Sequence, residues 1–521
     1  MIAVVLSERD FDYELQALIN SFFPGQQSRV TINQRQDRDS IRKMVRQEES
    51  EVSLWVGIEL GQTKIRVWTC WRDFEYFSEM EKAVTGNEDF HKHEDKTAHP
   101  YRTFYKNKLK GLLFELLNQI EPEKLPEGIS LTVPAWGTMT GVRPTKIPMN
   151  RLMAGESAEQ VYSSLISEYH CTQDKAGLCT QIAAREAKLL QGLDYEHGYS
   201  LYVGIPFCPT TCLYCSFPSY PMERFGALVP KYLEALKKEI RYCGKYMGGD
   251  GLASIYVGGG TPTTLSAGQL TELIECIRES FPVEQALEFT VEAGRPDSIT
   301  EEKLSALYRV GVDRISVNPQ TMQDKTLQRI GRLHTAEQVR EIFLLARECG
   351  FSNINMDLIA GLPGETVHDF EDTLCQLNEM NPDSITVHSL VVKRASKLRE
   401  MLDGAENVPG QRVQQMEQMM QRAQRFAKEY GYQPYYMYRQ KNSAGHTGGS
   451  GQENIGFARE GKECLYNILM MEELQGIVAV GAGASTKYYD RDKRIVSRGE
   501  NVKSVTDYIN RIEEMLERKR V

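Results

Sequence analysis

Cys208, Cys212 and Cys215 stand within eight residues at the spacing C-x3-C-x2-C, on the loop that follows the short apolar run Leu201-Tyr202-Val203. Three thiolates on one loop can wrap a single small metal body. A structural zinc site would want a fourth ligand, usually from a second CxxC or a His pair, and no such pair follows. Three ligands on a four-iron cubane leave one iron uncovered by protein, open to a small molecule that binds through nitrogen and oxygen. The remaining cysteines are scattered singly and read as incidental buried thiols, and disulfide pairing fits poorly.

A second stretch with chemical potential is Gly258-Gly259-Gly260-Thr261-Pro262-Thr263, after the strand candidate Ile255–Val257. It lacks the Gly-Lys-Ser/Thr ending of a phosphate loop and is no dinucleotide fingerprint. Alone it could be a tight turn. Beside a cluster loop, its bare backbone can approach a cofactor's ammonium group and accept hydrogen bonds from it. Val480-Gly481-Ala482-Gly483-Ala484-Ser485 looks like a dinucleotide turn only superficially, without the third glycine, the helix or the downstream acid.

These stretches need elements to position them. Between Tyr199 and about Leu390, β-type runs at Leu201–Ile205, Ile255–Val257, Leu287–Val291, Arg314–Val317, Ile354–Leu358 and Ile385–Val387 alternate with amphipathic helices. Six β–α units argue for parallel strands with right-handed crossovers. Six are too few for a closed eight-stranded barrel, so an open three-quarter barrel is expected, its site at the strand C-terminal ends. Both the cysteine loop and the glycine run fall there. Residues 1–125 read as a separate α/β accessory domain: a strand at Ile2–Leu6, a helix through Phe11 to Phe22, and a hairpin from Ser53 to Trp71 that turns at Gly61-Gln62. The polar segment 81–99, with His91, His93 and His99, reads as a loop. Residues 126–195 form a helical connector with a helix capped by Ser157 and another through Ile182 to Leu193. Residues 196–430 carry the partial barrel. Residues 431–521 read as a small α+β cap, with a glycine-rich loop from Ser443 to Gly456, strands at Cys464–Leu469 and Ile477–Val480, and a closing helix from Val505 to Leu516.

The chain has 521 residues, 41% hydrophobic and 26% charged, with a net charge of −9. That is ordinary for a globular protein of two to four domains and leaves no global basic field to recruit nucleic acid or anionic membrane. No run of eighteen apolar residues and no leader pattern is present, so a cytoplasmic location is expected, where thiols stay reduced.

The three-cysteine spacing resembles the signature of radical S-adenosylmethionine (radical SAM) enzymes, in which the cofactor's amino and carboxylate groups chelate the open iron of a [4Fe-4S] cluster. The likeness narrows when further residues are added in order: Tyr202, Tyr214, Gly259-Gly260-Thr261, Glu292 in Thr290-Val291-Glu292-Ala293, Gln320 in Asn318-Pro319-Gln320-Thr321-Met322, Arg332, and Asp357 in Asp357-Leu358-Ile359-Ala360-Gly361-Leu362-Pro363-Gly364. Together, over roughly residues 135 to 490, they look like the oxygen-independent coproporphyrinogen III dehydrogenase (oxidase) family, in its longer branch with an extra N-terminal region.

The resemblance implies an open (βα)6 three-quarter barrel of radical SAM type, a cluster on Cys208, Cys212 and Cys215, and one or two molecules of S-adenosylmethionine. Tyr202, Gly259 and Glu292 would line the first cofactor, with Tyr202 and Glu292 as catalytic residues. Gln320 and Asp357 would meet ribose hydroxyls, Arg332 a carboxylate, and Val391 an adenine. Tyr214, Gly260 and Thr261 would face a second cofactor molecule. By the same resemblance an adenosyl radical abstracts hydrogen from a propionate β-carbon, carbon dioxide leaves, a vinyl group forms and one electron departs. Two rounds turn coproporphyrinogen III into protoporphyrinogen IX. The implied partners are the tetrapyrrole substrate and an external electron donor such as a flavodoxin or ferredoxin, with no nucleic acid, no membrane span and a monomeric state. Cations for the propionates are sought among Arg143, Lys146, Lys393, Arg394, Arg439, Lys441 and Lys462.

One departure matters. Decarboxylating members carry a fourth cysteine two residues after the third, where this chain has Phe217. An aromatic residue there is also what the haem-chaperone branch shows, so a haem or tetrapyrrole carrier without decarboxylase activity is the alternative reading. Radical modification of RNA is disfavoured by the acidic balance and the lack of a basic stripe.

Overall fold

A computed structural model describes residues 1–47, 52–61, 64–71, 75–83, 99–195, 197–215, 218–391, 398, 409–440, 453–490 and 495–519. Phe217, His91, His93, Lys393, Arg394 and Lys441, and the glycine-rich segment up to residue 452, lie outside these residues. The chain forms two compact units, one essentially of residues 1–181 and the other of residues 182–407, 414–440 and 452–521.

The first unit is built on a five-stranded mixed sheet. Its strands are β1 (Ile2–Leu6), β2 (Ser28–Ile32), β3 (Leu54–Leu60), β4 (Lys64–Trp71) and β5 (Tyr76–Ala83), in the order β2-β1-β3-β4-β5. β1 runs parallel to β2 and β3, while β3, β4 and β5 form an antiparallel meander. Strand alternation sends Ile2, Val4 and Leu6 to one core, against Leu15, Ile19 and Phe22 of the helix Asp12–Phe22. It sends Ala3 and Val5 to the other, against Ile41, Trp55 and Trp68. The expected strand, helix and hairpin are present. β2 and β5 were not anticipated, and β5 enters the segment read as a loop. A helix at Ala158–Ser167 starts at a capping box of Ser157 and Gln160, as the Ser157 cap predicts. The helix predicted from Ile182 begins earlier, at Gln173, and ends at Leu190.

In the second unit all six predicted parallel strands form, and they are consecutive neighbours: β6 (Tyr199–Ile205), β9 (Leu252–Gly259), β10 (Glu288–Gly294), β11 (Arg314–Val317), β12 (Ile354–Ala360) and β13 (Ser384–Ser389). Between β6 and β9 lies a short parallel pair, β7 (Phe207–Cys208) and β8 (Tyr220–Pro221), which brackets the cysteine loop. The fold is the open partial barrel of radical SAM type.

Residues after 430 extend that same sheet at both edges. β14 (Gln433–Arg439) and β15 (Glu453–Ala458) add antiparallel strands beyond β13. β16 (Gly476–Val480) lies parallel to β6 and leads to β17 (Ser485–Asp490) and β18 (Ile495–Glu500). The apolar stretch at 464–469, expected to be a strand, is instead a helix, Leu465–Glu472. Its physical cause is Glu288 of β10, whose carboxylate accepts the amides of Leu465 at 2.6 Å and Tyr466 at 3.4 Å and so caps the helix N-terminus. The expected closing helix is two short ones, Val505–Asn510 and Ile512–Arg518, that break at Arg511.

The six parallel strands alternate polar and apolar residues instead of being apolar on both faces. Leu201, Val203, Ile255, Val257, Ile315, Met356 and Val387 form the buried apolar face. The opposite face carries Ser200, Tyr202, Ser254, Tyr256, Thr290, Glu292, Arg314, Asn355, Asp357, Thr386 and His388. Hydrogen bonds run across it, from Ser200 to Ser254 at 2.8 Å, from Arg314 to Ser384 at 3.1 Å, and from Ser384 and Thr386 to Asn355 at 3.0 and 3.2 Å. The barrel interior is therefore a polar, hydrogen-bonded surface.

Candidate active site

The strand C-terminal ends bring the expected residues together in three groups. The first joins Tyr202, Gly259 and Glu292. Tyr256 donates its phenolic hydrogen to Oε1 of Glu292, and the Gly259 amide donates to Oε2 at 3.2 Å. A Cβ at Gly259, whose φ is +110°, would come within 3.2 Å of Tyr202 Oη. Burial, reinforced by the charge of Asp357, holds the Glu292 carboxyl up at about 7 against the Tyr256 and Gly259 bonds that oppose the shift. Burial, with Glu292 beside it, also raises Tyr202. The Tyr202 ring stacks on Tyr256 at 6.3 Å, and Tyr256 on Tyr466 at 4.6 Å.

The second group is Gln320 with Asp357. Gln320 has a left-handed backbone, φ 69°, and is fixed there by its amide donating to Asp357 O and its carbonyl accepting from Ile359 N, both at 2.9 Å. Asn355 Nδ2 donates to the Asp357 carboxylate at 2.7 Å, and His388 Nε2 stands 4.0 Å from its other oxygen. Val391 lies just past β13, half-buried, next to Leu390, whose amide donates to Ala360 O at 2.9 Å.

The third group surrounds Cys212. Arg332 and Tyr214 lie beside its thiol and beside each other, close enough to perturb one another electrostatically, and Arg332 Nη1 donates to Asn318 O at 2.5 Å. Arg332 Nε is buried without a hydrogen-bond partner. Gly260 and Thr261 do something the sequence did not suggest. Their amides donate to Ile205 O and Phe207 O, each at 2.7 Å, so the glycine run clamps the start of the cysteine loop, and Thr261 Oγ1 reaches Cys208 Sγ at 3.7 Å.

Of the candidate cations, Arg439 ends β14 at this same rim, across from Glu453. Lys462 donates to Ser352 O at 2.7 Å, just ahead of β12, and so lies at the opposite ends of the strands. Arg143 and Lys146 belong to the other unit.

Residues 202–377 match the Radical SAM superfamily. Over 388 residues the chain is 41% identical to the oxygen-independent coproporphyrinogen-III oxidase-like protein HemZ of Bacillus subtilis, covering 74% of this chain and 76% of that protein. The chain belongs to the oxygen-independent coproporphyrinogen III oxidase-like family of radical SAM proteins. Other similar proteins are the haem chaperone HemW of Bacillus subtilis, 33% identical over 317 residues, covering 60% of this chain and 76% of that protein, and the oxygen-independent coproporphyrinogen III oxidase of Escherichia coli, 33% identical over 192 residues, covering 37% of this chain and 42% of that protein.

A radical SAM protein uses a [4Fe-4S] cluster and S-adenosylmethionine, and the residues present fit them. The donor set is three thiols on one loop, and Arg332 offers an unpartnered buried N–H beside them. Among the described residues no three His, Cys, Asp or Glu side chains stand gathered as a metal cage. Sequence reasoning passed over Tyr256, His388 and Arg295. The first two could have been read from the alternation of β9 and β13, which puts them on the face of Glu292 and Asp357.

Proposed function

We propose that this protein carries out the oxygen-independent oxidative decarboxylation of coproporphyrinogen III to protoporphyrinogen IX. The likeness to the Bacillus subtilis oxidase-like protein over three quarters of both chains carries the reading. The interior aromatic wall supports it: Tyr202, Tyr256 and Tyr466 stack in series, and Tyr436 and Tyr438 of β14 are packed inside, with burial and the Asp357 charge pushing Tyr438 up to about 12. Such a wall suits a flat macrocycle.

In this reading Cys208, Cys212 and Cys215 hold the cluster, which when bound supplies the electron that splits the sulfonium of S-adenosylmethionine. Tyr202 and Glu292 act on the first cofactor, with Gly259 beneath its ammonium. Gln320 and Asp357 take ribose hydroxyls, Arg332 a carboxylate, and Val391 an adenine face. Tyr214 and Thr261 border a place for a second cofactor, while the Gly260 amide is already committed to Ile205 O. Arg439 is the described candidate cation that shares the site's rim. Residues 1–125 are an accessory domain, 126–195 a connector, 196–430 the catalytic barrel and 431–521 a cap joined to it by strands that continue its sheet. The protein works as a cytoplasmic monomer fed by a flavodoxin or ferredoxin.

A second reading, a haem or tetrapyrrole carrier, is favoured by the 33% identity to a haem chaperone over 76% of its length. The two separate in an anaerobic assay of cluster-loaded protein with S-adenosylmethionine, a reductant and coproporphyrinogen III. Loss of two carbon dioxide units with 5′-deoxyadenosine formed, absent in Cys212→Ala, supports the decarboxylase. Stoichiometric haem binding with the tetrapyrrole untouched supports the carrier.

A further inference from the structure

Arg295 lies one residue beyond β10 and its side chain is 4% exposed. Its Nε and Nη2 donate to the two carboxylate oxygens of Asp297 at 2.9 and 2.6 Å, a fork that fixes the guanidinium plane. That leaves Nη1 to cross 85 positions of sequence to the cysteine loop. There it donates to Thr210 O at 3.0 Å, to Thr210 Oγ1 at 2.7 Å, and toward Cys212 Sγ at 3.8 Å. No role in the readings above uses this residue.

A buried cation aimed at a cysteine sulfur has a definite consequence for a cluster on that sulfur. Reduction adds one negative charge to the cluster, and N–H···S bonds and nearby positive charge stabilise the more negative state. Because Arg295 is buried, its effect is screened by water less than that of a surface cation. Asp297 neutralises part of the field, but it occupies the Nε–Nη2 edge of the guanidinium and leaves the Nη1 donor directed at the sulfur. His334, buried beside Arg295 and Arg332, is held down to about 4 by burial and then by Arg332, so it stays neutral and adds no charge of its own.

We propose that Arg295 is a positioning residue that sets the reduction potential of the cluster, by holding the Thr210–Cys212 segment and donating to the Cys212 sulfur. The inference rests on the cluster being held by Cys208, Cys212 and Cys215, and not on which substrate is used.

The test is a redox titration of cluster-loaded protein followed by electron paramagnetic resonance, on the parent, Arg295→Gln, Arg295→Lys and Asp297→Asn. Iron content per chain is measured first. Arg295→Gln should keep the cluster and shift its midpoint to more negative potential, with a changed g-anisotropy. Arg295→Lys keeps the charge without the fork and should fall between the two. Asp297→Asn, which leaves the cation less compensated, should move the midpoint the other way. A midpoint and spectrum equal to the parent's in Arg295→Gln would overturn the proposal and leave Arg295 a strut. If Arg295→Gln cannot hold iron, Arg295→Lys and Asp297→Asn decide: parent-like midpoints in both overturn it, and shifts of opposite sign sustain it. Cys212→Ala should lose the cluster altogether, and a fully retained cluster there would instead sink the ligand assignment.

Discussion

Tyr256 and Glu292, on the neighbouring parallel strands β9 and β10, share one hydrogen bond in which the phenol donates to Oε1 of the carboxylate. The Gly259 amide holds the other oxygen at 3.2 Å. A Cβ at Gly258 would sit 2.7 Å from that same oxygen, so the carboxylate fills the space the glycine leaves. Sheet register, glycine and tyrosine thus fix one side chain at the mouth of the barrel.

Glu292 should make the cofactor-free protein lose stability as pH rises. Its carboxyl titrates at about 7 in the fold against 4.5 when unfolded. Between those values the folded state holds a proton that the unfolded state has released, so its contribution is fully present below pH 4.5 and is lost as pH climbs through 7. The full difference is on the order of 3 kcal/mol. Denaturant unfolding of the parent and Glu292→Gln should therefore diverge across pH 5 to 8, with the parent falling relative to the variant. Parallel curves would mean that Glu292 is ionised throughout.

Gly260→Ala should free the cysteine loop. The new methyl would lie 2.6 Å from Phe207 O and 2.9 Å from Ile205 O, the two carbonyls that the Gly260 and Thr261 amides bind. Backbone cannot move aside as a side-chain tip can. The expected cost is about 1–3 kcal/mol of stability, together with lower iron content after reconstitution. Melting temperature and iron per chain measured on one sample check both, and full iron retention would show that the clamp is not needed to form the cluster site.

The six barrel strands were legible because each has β-branched or aliphatic residues at alternate positions, and a register of two cannot be satisfied by a helix. The run at 464–469 was not. A short apolar stretch is compatible with either state, and the deciding group, Glu288, lies 177 positions away from Leu465. β2 and β5 were missed for the opposite reason, since Ser28–Ile32 and Tyr76–Ala83 are largely polar and mostly not buried. At the site, Glu292 and Asp357 could be placed on one face by counting in twos. Arg295 carried no local signal, because its meaning comes from folding back on Thr210. Lys462 shows the limit of nearness in sequence: it follows a glycine-rich stretch, yet β15 runs antiparallel to β13 and carries it to the far end of the sheet.

Gln320→Gly should separate backbone from side chain. The left-handed φ of 69° disfavours any residue with a Cβ, and the flanking bonds to Asp357 and Ile359 are made by backbone atoms. Relief of that strain offsets the greater freedom of glycine in the unfolded chain, so stability should stay within about 1 kcal/mol of the parent. S-adenosylmethionine affinity should fall if the amide meets the ribose. Calorimetric titration of cluster-loaded protein reads the second quantity independently of the first, and unchanged affinity would remove Gln320 from the cofactor site.

Lys519→Met should destabilise the second unit strongly. Glu239, fully buried on the helix Val229–Met247, accepts from the Gly481 amide at 2.8 Å, Asn501 Nδ2 at 2.7 Å and Tyr508 Oη at 2.5 Å, with Lys519 Nζ 3.4 Å away. Lys519 also donates to Thr486 at 2.7 Å and to Ala479 O. Removing the cation strands a buried carboxylate whose other partners are neutral, at a cost of about 3–5 kcal/mol. Glu239→Gln in the same background removes the stranded charge and should restore part of that loss. Because the Gly481 turn and the Tyr232 hydroxyl between Gly204 and Ala482 tie this cluster to the end of β6, the single variant should also loosen the cysteine loop. Hydrogen exchange at 204–215 should rise in Lys519→Met and fall back in the double variant; protection equal to the parent's in both would confine the effect to the C-terminal helices.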